Sequence, residues 1–411
     1  MISNIKYDKN KVYIVGVSGG PDSMALLNML YEEGYNLVTC LVNYNTRKES
    51  SFEQQMVKKY CLDRRIPFET IDVLYYKKYG NFEAWAREIR YEFFRENTIK
   101  HNAEGVFVAH HQDDLLETYL LQKKRRIITT YFGLKEHNII MGVNIFRPLL
   151  NKTKEELINY CNERRIPFSI DSTNLENDHL RNKIRNTILN TYTKEEKNKL
   201  LNKISLENNQ RQENVLKVND VIQNKKVNIE EFNKLNEIEK QLLIYRLVND
   251  EMKEEKVKLT YYRINEMIKL LQSNKPNVCH QISGLYYFIR EYNLFYVGKL
   301  EDEIAYSYYM NEPSFLDVDE FACDFRGDTS YLKIYKDSYP LKFRNAKKED
   351  VVLIGNIKKK VNRILIDEKI PMEKRKKYPV VVDKNNKIVY IPLYRSEIQK
   401  KIANNLKFVI K

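Results

Sequence analysis

Residues 12–23, VYIVGVSGGPDS, decide the fold. The segment begins as a buried strand, and the apolar run Met24–Leu27 that follows it is typical of a buried helix. A glycine-rich turn between a strand and a helix binds anions, because its backbone N–H groups and the positive end of the helix dipole serve one ligand. We therefore predict a phosphate-binding loop made of Ser18, Gly19, Gly20, Pro21, Asp22 and Ser23.

Each residue type in this loop suits a phosphate. Gly19 and Gly20 let the backbone curl around the anion, and Pro21 suits the first turn of a helix. Ser18 and Ser23 offer hydroxyl donors. The alternative is an ordinary capped helix start, since these residue types occur in turns of every kind. The sequence has no GxxxxGK[ST] pattern, which disfavours γ-phosphate transfer of the kinase or GTPase type.

Strand-like and helix-like patterns alternate around this loop, which predicts an α/β domain with a parallel sheet flanked by helices. We expect strands at residues 11–17, 36–42, 68–74, 105–109 and near 139–146. We expect helices at 24–33, 82–99 and 154–165, a polar one ending near 65, and one opening at Asp113. The segments CLDRRIPF (61–68) and CNERRIPF (161–168) predict the same helix-to-strand joint at two places.

The remaining chain predicts further domains. We place an α/β catalytic domain at 1–190, a linker helix at 191–225, a mainly helical domain at 226–325 and a small α+β domain at 326–411. Within the third region, residues 284–297 have the residue types of a short β-hairpin.

Composition narrows the class of partner. Lys and Arg number 70 against 56 Asp and Glu, a net charge of +14 that favours a polyanion such as nucleic acid. The alternative is a lysine-rich genome. The five cysteines are scattered without a CxxC pair, which disfavours a zinc knuckle, an iron–sulfur site and a disulfide framework, and fits a reduced, cytoplasmic compartment. No apolar run approaches membrane-spanning length, so we expect no membrane.

An acidic cluster follows the fourth predicted strand, in VAHHQDDLLET (108–118). Asp113, Asp114 and Glu117 fall within one helical turn, where they could hold Mg²⁺ against pyrophosphate or bind an ammonium group. The alternative is that acids in a first turn only offset the helix dipole.

Basic residues form three weaker signals. Arg87 lies four residues before Tyr91, and Arg181 and Arg185 flank Lys183, so each could bind a phosphate or a carboxylate, or simply lie on a solvated face. From Leu341 to Tyr378 there are 13 Lys and Arg against 5 Asp and Glu. This stretch predicts a docking surface for RNA phosphates, with the candidates Lys358, Lys359, Lys360, Arg363, Lys374 and Arg375.

The loop SGGPDS resembles the signature SGGxDS of the PP-loop ATP pyrophosphatase superfamily, which is adenine nucleotide α-hydrolase-like in fold. Together with HHQDDLLET, EAWAREIRY, RPLL (147–150) and DSTN…RNKIR (171–185), it resembles the tRNA(Ile)-lysidine synthetase family. C-terminal segments extend the resemblance over nearly the whole chain: RILIDEKIP (363–371), YPVVVD (378–383) and IPLYR (391–395).

The resemblance implies an activity. ATP would adenylate the first anticodon cytidine of a tRNA-Ile with a CAU anticodon, and free L-lysine would then displace AMP to leave lysidine. Asp22 and Asp114 would hold Mg²⁺ near the nucleotide, while Asp113, Asp114 and Glu117 would recognise the lysine ammonium and accept its proton. A homodimer is compatible with the sequence. The rivals are a tRNA thiolase, an amidotransferase-type synthetase and an RNA-binding module without catalysis.

The chain departs from the family pattern at three places. Tyr44 stands where the family usually has a histidine, and a phenol cannot act as a histidine base. FRNAKK (343–348) replaces a glycine-rich arginine motif, and Leu393 replaces a glycine. These changes affect the details of tRNA contacts more than the chemistry.

Overall fold

The computed structural model describes residues 7–45, 50–75, 82–169, 180–253, 255, 259–273, 275–300, 305–327, 329, 334–354, 357–371, 374–375, 377–392 and 407–411. The chain forms two compact units. The N-terminal unit comprises Met1–Asp220, Glu237–Tyr245 and Leu259–Ile264, and the C-terminal unit comprises Val221–Asn236, Arg246–Lys258 and Asn265–Lys411.

A six-stranded sheet lies at the centre of the N-terminal unit. Its strands are β1 (Val12–Gly16), β2 (Asn36–Asn43), β3 (Phe68–Asp72), β4 (Gly105–Val108), β5 (His137–Ile140) and β6 (Val143–Phe146). Their order is β3-β2-β1-β4-β6-β5, and all neighbours are parallel except β5 and β6. The chain order reverses between β1 and β4, and ligands of open α/β sheets bind at such a switch point, beyond the carboxyl ends of the strands.

Helices cover both faces of this sheet. The helices up to residue 221 are α1 (Pro21–Glu32), α2 (Ser50–Asp63), α3 (Phe82–Lys100), α4 (Gln112–Lys124), α5 (Lys154–Glu163), α6 (Leu180–Thr187) and α7 (Lys194–Val221), of which α4, α6 and α7 share a core of their own. Alternate residues of β1 point to opposite faces of the sheet. Val15 packs in the core beneath α1, α2 and α5, and Ile14 packs in the core that contains Phe94 of α3. The predicted parallel α/β fold is confirmed.

One predicted strand is two. The pattern near 139–146 forms a hairpin, β5 and β6, rather than a single strand. Met141 and Gly142 between them both have positive φ, 51° and 79°, as a two-residue hairpin turn requires. Other elements differ from expectation only at their ends, as with α4, which begins at Gln112 instead of Asp113.

The repeated helix-to-strand joint is confirmed at its helical end only, because β3 follows the first copy whereas residues 166–169 form no strand. Arg65 and Arg165 lie two residues beyond the ends of α2 and α5, and both have positive φ, 55° and 52°. The next residue then donates its N–H to a cysteine carbonyl at 2.9 Å in both copies, Ile66 to Cys61 and Ile166 to Cys161. Closely similar local sequence therefore gives the same helix end in both copies.

The C-terminal unit starts with helices and an antiparallel sheet. Its elements, with two helices that the unit shares with the N-terminal one, are β7 (Lys226–Asn228), α8 (Ile229–Lys234), α9 (Glu237–Glu251), α10 (Tyr261–Gln272), β8 (Asn277–Ser283), β9 (Tyr286–Glu291) and β10 (Leu294–Lys299). The sheet order is β7-β10-β9-β8. The region expected to be mainly helical thus contains a sheet as well, and the predicted hairpin is two of its four strands.

The end of the chain is β-rich. Its elements are β11 (Ser307–Met310), β12 (Phe315–Asp317), β13 (Phe321–Asp324), β14 (Leu341–Asn345), β15 (Val351–Ile354), β16 (Ile357–Lys360), α11 (Val361–Asp367), β17 (Pro379–Val382), β18 (Ile388–Tyr390) and β19 (Lys407–Ile410). Because β11 pairs with β14 and β13 pairs with β19, a boundary at 325/326 would divide hydrogen-bonded strands. No helix in the described parts of the chain has both the length and the apolar character needed to cross a membrane.

Candidate active site

The predicted phosphate loop lies where β1 ends and α1 begins. Gly20 caps the helix with extended backbone, and Pro21 occupies its first turn. The hydroxyls of Ser18 and Ser23 share a hydrogen bond of 3.3 Å, and Ser23 also donates to the Gly20 carbonyl at 3.0 Å. The loop therefore joins donors and a helix N-terminus in one short segment, as an anion site requires.

Packing fixes this loop from two sides. Gly19 has a φ of +84°, a conformation that favours glycine, and a Cβ there would lie 3.4 Å from Cβ of Glu53 on α2. On the other side, the Ser169 N–H donates to the Gly19 carbonyl at 2.9 Å. Gly16 is equally constrained, since a Cβ on it would lie 2.4 Å from the Phe94 ring.

Asp22 of this loop and Asp114 of α4 meet at one histidine. His111 Nε2 lies 3.7 Å from Asp22 Oδ2 and 3.5 Å from Asp114 Oδ2. Burial raises the pKa of the Asp22 carboxyl, and Asp114 raises it further, while His111, Lys154 and Arg185 lower it. Two carboxylates thus share a poorly solvated site at the carboxyl ends of β1 and β4.

His111 is a site residue to which the sequence analysis gave no role. Its side chain is the N-cap of α4, where Nδ1 accepts from the Asp113 N–H at 3.3 Å, and the Asp114 carboxylate accepts from the His111 N–H at 3.0 Å. The cap turns Nε2 toward Asp22. A polar residue just before an acidic first turn is the signal that points to such a cap.

Glu117 lies deeper in α4 and is fully buried. Arg185 of α6 forms a bidentate ion pair with it. Arg185 Nε donates to Glu117 Oε1, and Arg185 Nη2 donates to Glu117 Oε2 at 3.1 Å. Arg185 Nη2 also lies 3.9 Å from Asp114 Oδ1. The two predicted residues are therefore brought together, but as partners of each other, and Glu117 is already occupied by a cation.

Asp113 faces a different cation. Lys197 of α7 donates to Asp113 Oδ1 at 2.8 Å, and both side chains are largely buried. An ammonium group therefore already binds one of the three predicted acids.

Arg87 is exposed on α3. Its guanidinium stacks 4.7 Å from the Tyr91 ring centre, and its charge lowers the pKa of the Arg147 guanidinium, which burial lowers more. Arg147 itself donates from Nε to His110 Nδ1 at 3.0 Å and from Nη1 to Asn138 Oδ1 at 2.6 Å. Arg147 thus holds the residue next to His111 in place.

Two predicted segments escape description. Residues 171–174 lie outside the described residues, and of Arg181 only the helical backbone is described.

The comparisons with known proteins agree with this geometry. A sequence model described as a PP-loop domain, of an ATP-binding family, matches residues 1–192. The tRNA(Ile)-lysidine synthase of Mycoplasma mycoides is 31% identical, over 94% of this chain and 98% of the relative. That of Mesoplasma florum is 32% identical, with the same coverage of both chains. That of Bacillus anthracis is 30% identical, over 97% of this chain and 92% of the relative.

The chain belongs to the tRNA(Ile)-lysidine synthase family. The resemblance stated from the motifs is thereby confirmed, and the family and its PP-loop domain imply that ATP is used.

Tyr44, one of the three places at which the chain departs from the lysidine synthase pattern, has a packing role. Its hydroxyl donates to the Ala86 carbonyl at 2.8 Å, and its ring contacts Phe82 and Trp85 edge-on. Burial raises the pKa of its phenol. The side chain therefore ties β2 to α3 instead of supplying a base.

The carboxylates fit a Mg²⁺ ion that nucleotide chemistry in this family would use. Asp22 Oδ1 is buried and has no hydrogen-bond partner in the described structure. Because buried polar atoms nearly always have a partner, this oxygen is free to bind a ligand. Among the described residues, no group of three or more His, Cys, Asp or Glu side chains could hold a metal alone. Mg²⁺ commonly binds one or two carboxylates and takes its other ligands from phosphates and water, so Asp22 and Asp114 suffice.

The predicted RNA-binding residues of the C-terminal unit differ in exposure. Lys358, Lys359 and Lys360 follow one another on β16 and are exposed, as is Lys374. Arg363 is exposed and lies 3.3 Å from Asp367. Arg375 departs from the expectation of a surface residue, because only 9% of it is exposed.

Proposed function

We propose that this protein forms lysidine by joining the ε-amine of L-lysine to C2 of the first anticodon cytidine of tRNA-Ile with a CAU anticodon, at the expense of ATP. Family membership supports the reaction. The observation that carries the site is the meeting of Asp22 and Asp114 at His111, beside a phosphate loop at the switch point of the sheet. We propose that ATP binds there with its phosphates on Ser18–Ser23.

The first step is adenylation of the base. The cytosine O2 attacks the α-phosphorus of ATP, a P–O bond to pyrophosphate breaks, and the base carries AMP. Bound Mg²⁺, held by Asp22 and Asp114, would neutralise the charge that develops on the leaving pyrophosphate. The loop contributes N–H and hydroxyl donors that are in place before the reaction. Donors fixed in advance stabilise developing charge most effectively, because they need not reorganise during the reaction.

The second step is attack by lysine. Its ε-amine adds to C2, the C–O bond to AMP breaks, and the amine loses a proton. The amine has an ordinary pKa of about 10.4, so an acceptor is required. Asp113 is our candidate to bind and deprotonate it, in exchange for the Lys197 ammonium from which it accepts at 2.8 Å in this structure.

Glu117 and Arg185 have a positioning role in this proposal. Since Arg185 binds Glu117 and lies 3.9 Å from Asp114, the pair fixes α6 against α4 and sets the place of Asp114. We infer that the pair orders the site, and that Arg185 keeps the charge of Asp114 compensated until Mg²⁺ arrives.

The test is incubation with radiolabelled lysine, ATP, Mg²⁺ and a CAU-anticodon tRNA-Ile transcript. We expect base-stable label in the tRNA, and none when the first anticodon cytidine is replaced by uridine or when Asp22→Ala is used. Asp63→Asn is the matched control, since Asp63 is an exposed carboxylate at the end of α2. Pyrophosphate release without label would contradict lysidine formation while leaving adenylation intact.

A thiolase reaction is less well supported by the cysteines. Cys161 is the thiol at the loop, with Sγ 3.4 Å from the Pro21 carbonyl oxygen, but it is fully buried. Burial, and secondly the charge of Asp22, raises its pKa to about 11. A thiol of that pKa is poorly ionised at neutral pH and a weak nucleophile.

A further inference from the structure

Lys197 brings to one of the site acids the same group that the proposed substrate carries. Its Nζ donates to Asp113 Oδ1 at 2.8 Å. The side chains of Lys197 and Asp113 are 23% and 16% exposed, so the pair is poorly solvated but still reached by water. A primary ammonium on a four-carbon stem is also the end of free L-lysine. The chain's own lysine thus occupies the acid that we assign to the substrate.

Packing sets the position of Lys197 on α7. Leu201 and Ile204 follow it at helical spacing and share a core with Leu116 of α4. A lysine on such an apolar face lays its stem along the core and needs a polar partner for its ammonium. Asp113, in the first turn of α4, is that partner.

The ammonium can leave Asp113 while the helix stays in place. Asn208 of α7 accepts from the Phe132 N–H at 2.7 Å and donates to the Phe132 carbonyl at 3.0 Å, and so holds α7 beyond its first turns. Lys197 Nζ has one acceptor among the described residues, although an ammonium has three donors. Rotation of a single side chain therefore releases the carboxylate.

We propose that Lys197 is an internal competitor of the substrate, which holds Asp113 in the empty site and is displaced by the ε-ammonium of free L-lysine. The proposal rests on the proposed function, in which Asp113 binds that ammonium. In the empty site, Lys197 gives the poorly solvated carboxylate the counter-ion that it needs. The apparent affinity for lysine is then the intrinsic affinity multiplied by the fraction of the protein in which the pair is open.

The competition also selects among amines. Because Lys197 is tethered, its ammonium competes at an effective concentration on the order of millimolar or above. A simple alkylammonium ion offers only its charge and loses against the tethered group. Lysine also carries an α-amino group and a carboxylate, whose contacts elsewhere in the site offset the competition. Lys197 therefore makes the site specific for the whole amino acid instead of its amine alone.

The first test measures the KM for lysine in tRNA labelling, with ATP and tRNA saturating. We expect Lys197→Met to lower this KM about fivefold, because the competitor is gone. We expect Lys197→Arg to raise it at least threefold, because a guanidinium binds a carboxylate through two parallel hydrogen bonds and is displaced less readily. Lys199→Met is the matched control, since Lys199 is exposed on the same helix, and its KM should equal that of the wild type.

A pair with a structural role alone would behave differently. Loss of the pair would then leave the KM unchanged or raise it, and arginine would replace lysine without effect. A KM of Lys197→Met that is raised, or within twofold of wild type, overturns the proposal. Should Lys197→Met fail to fold, Lys197→Arg decides, and a KM within twofold of wild type is the overturning result.

The second test needs neither ATP, Mg²⁺ nor tRNA. Thermal unfolding is measured with L-lysine or n-butylammonium chloride as the ligand. We expect lysine to raise the Tm of Lys197→Met more than that of the wild type, and n-butylammonium to raise the Tm of the variant only. Equal shifts in the two proteins overturn the proposal.

The two tests separate this proposal from the proposed function. A protein that shows the expected Tm shifts but labels no tRNA keeps the exchange at Asp113 and loses the proposed reaction. A protein that makes lysidine, with an unchanged KM in Lys197→Met, loses only the exchange.

Discussion

Asp22 follows β1 and His111 follows β4, and their side chains lie 3.7 Å apart, between Asp22 Oδ2 and His111 Nε2. The same imidazole caps α4 through its other nitrogen. One residue therefore connects the phosphate loop with the acidic helix, and these two tasks can be separated by mutation.

His111→Ala should lose both the cap of α4 and the contact with Asp22, whereas His111→Asn should lose only the contact with Asp22. Asparagine is an effective N-cap but too short to reach Asp22, so we expect Ala to destabilise the protein by about 1 kcal/mol and Asn to do so by much less. Both should incorporate lysine at least tenfold more slowly. Urea unfolding and the labelling assay measure the two effects, and full activity of His111→Asn would reduce His111 to a helix cap.

Asp22→Asn should stabilise the protein while it abolishes activity. Because the folded-state pKa of Asp22 is raised, its carboxyl binds a proton more tightly in the folded protein than in the unfolded chain. Folding is therefore penalised as pH rises above the unfolded value of about 4, and the penalty levels off above the folded pKa. We expect the gain in unfolding free energy to be larger at pH 7 than at pH 4, in the absence of Mg²⁺ and ATP. An equal gain at both pH values would contradict a raised pKa.

Arg185→Met should cost on the order of 3–5 kcal/mol, because it leaves the buried Glu117 carboxylate without a counter-ion. Glu117→Leu/Arg185→Met should recover most of this loss, since no charge stays behind. Denaturant unfolding of both variants checks the expectation. A double variant as unstable as the single one would indicate that the pair packs α6 through shape instead of charge.

Tyr44→Phe should leave lysine incorporation within threefold of wild type. The lost hydrogen bond to the Ala86 carbonyl should lower the unfolding free energy by about 1 kcal/mol, while the ring keeps its contacts with Phe82 and Trp85. A hundredfold loss of activity would instead give the phenol a role in the reaction.

Cys161→Ala should retain lysine incorporation, which a thiolase using this thiol would not permit. In the wild type, alkylation of Cys161 should be slow at neutral pH and faster as pH approaches its pKa of about 11. Cys279, which is exposed, is the internal control and should react first. Peptide mapping after iodoacetamide treatment distinguishes the two.

Much of the fold could be predicted because its signals are local. The strand, turn and helix at residues 12–32 lie within one stretch of chain, and the joint at Arg65 is repeated at Arg165 with nearly the same φ. One strand is expected where β5 and β6 form a hairpin, because Met141-Gly142 is a weak turn signal inside an apolar pattern.

The partners within the site could not be predicted in this way. Glu117 and Arg185 are 68 residues apart, and Asp113 and Lys197 are 84 apart. Helix packing alone decides which cation meets which acid. The motifs point to Asp113, Glu117 and Arg185 but not to Lys197, and only the structure shows that two of the three acids are already paired with cations of the chain.

The hydrogen bonds within the phosphate loop make binding an exchange reaction. Ser18 and Ser23 satisfy each other and the Gly20 carbonyl in this structure, so a ligand gains only the difference between its own bonds and those it replaces. A charged phosphate oxygen forms bonds roughly twice as strong as those between neutral groups and therefore wins this exchange. A neutral nucleoside gains nothing from it. The loop thus discriminates by charge, in favour of a triphosphate and against the uncharged adenosine that shares its base.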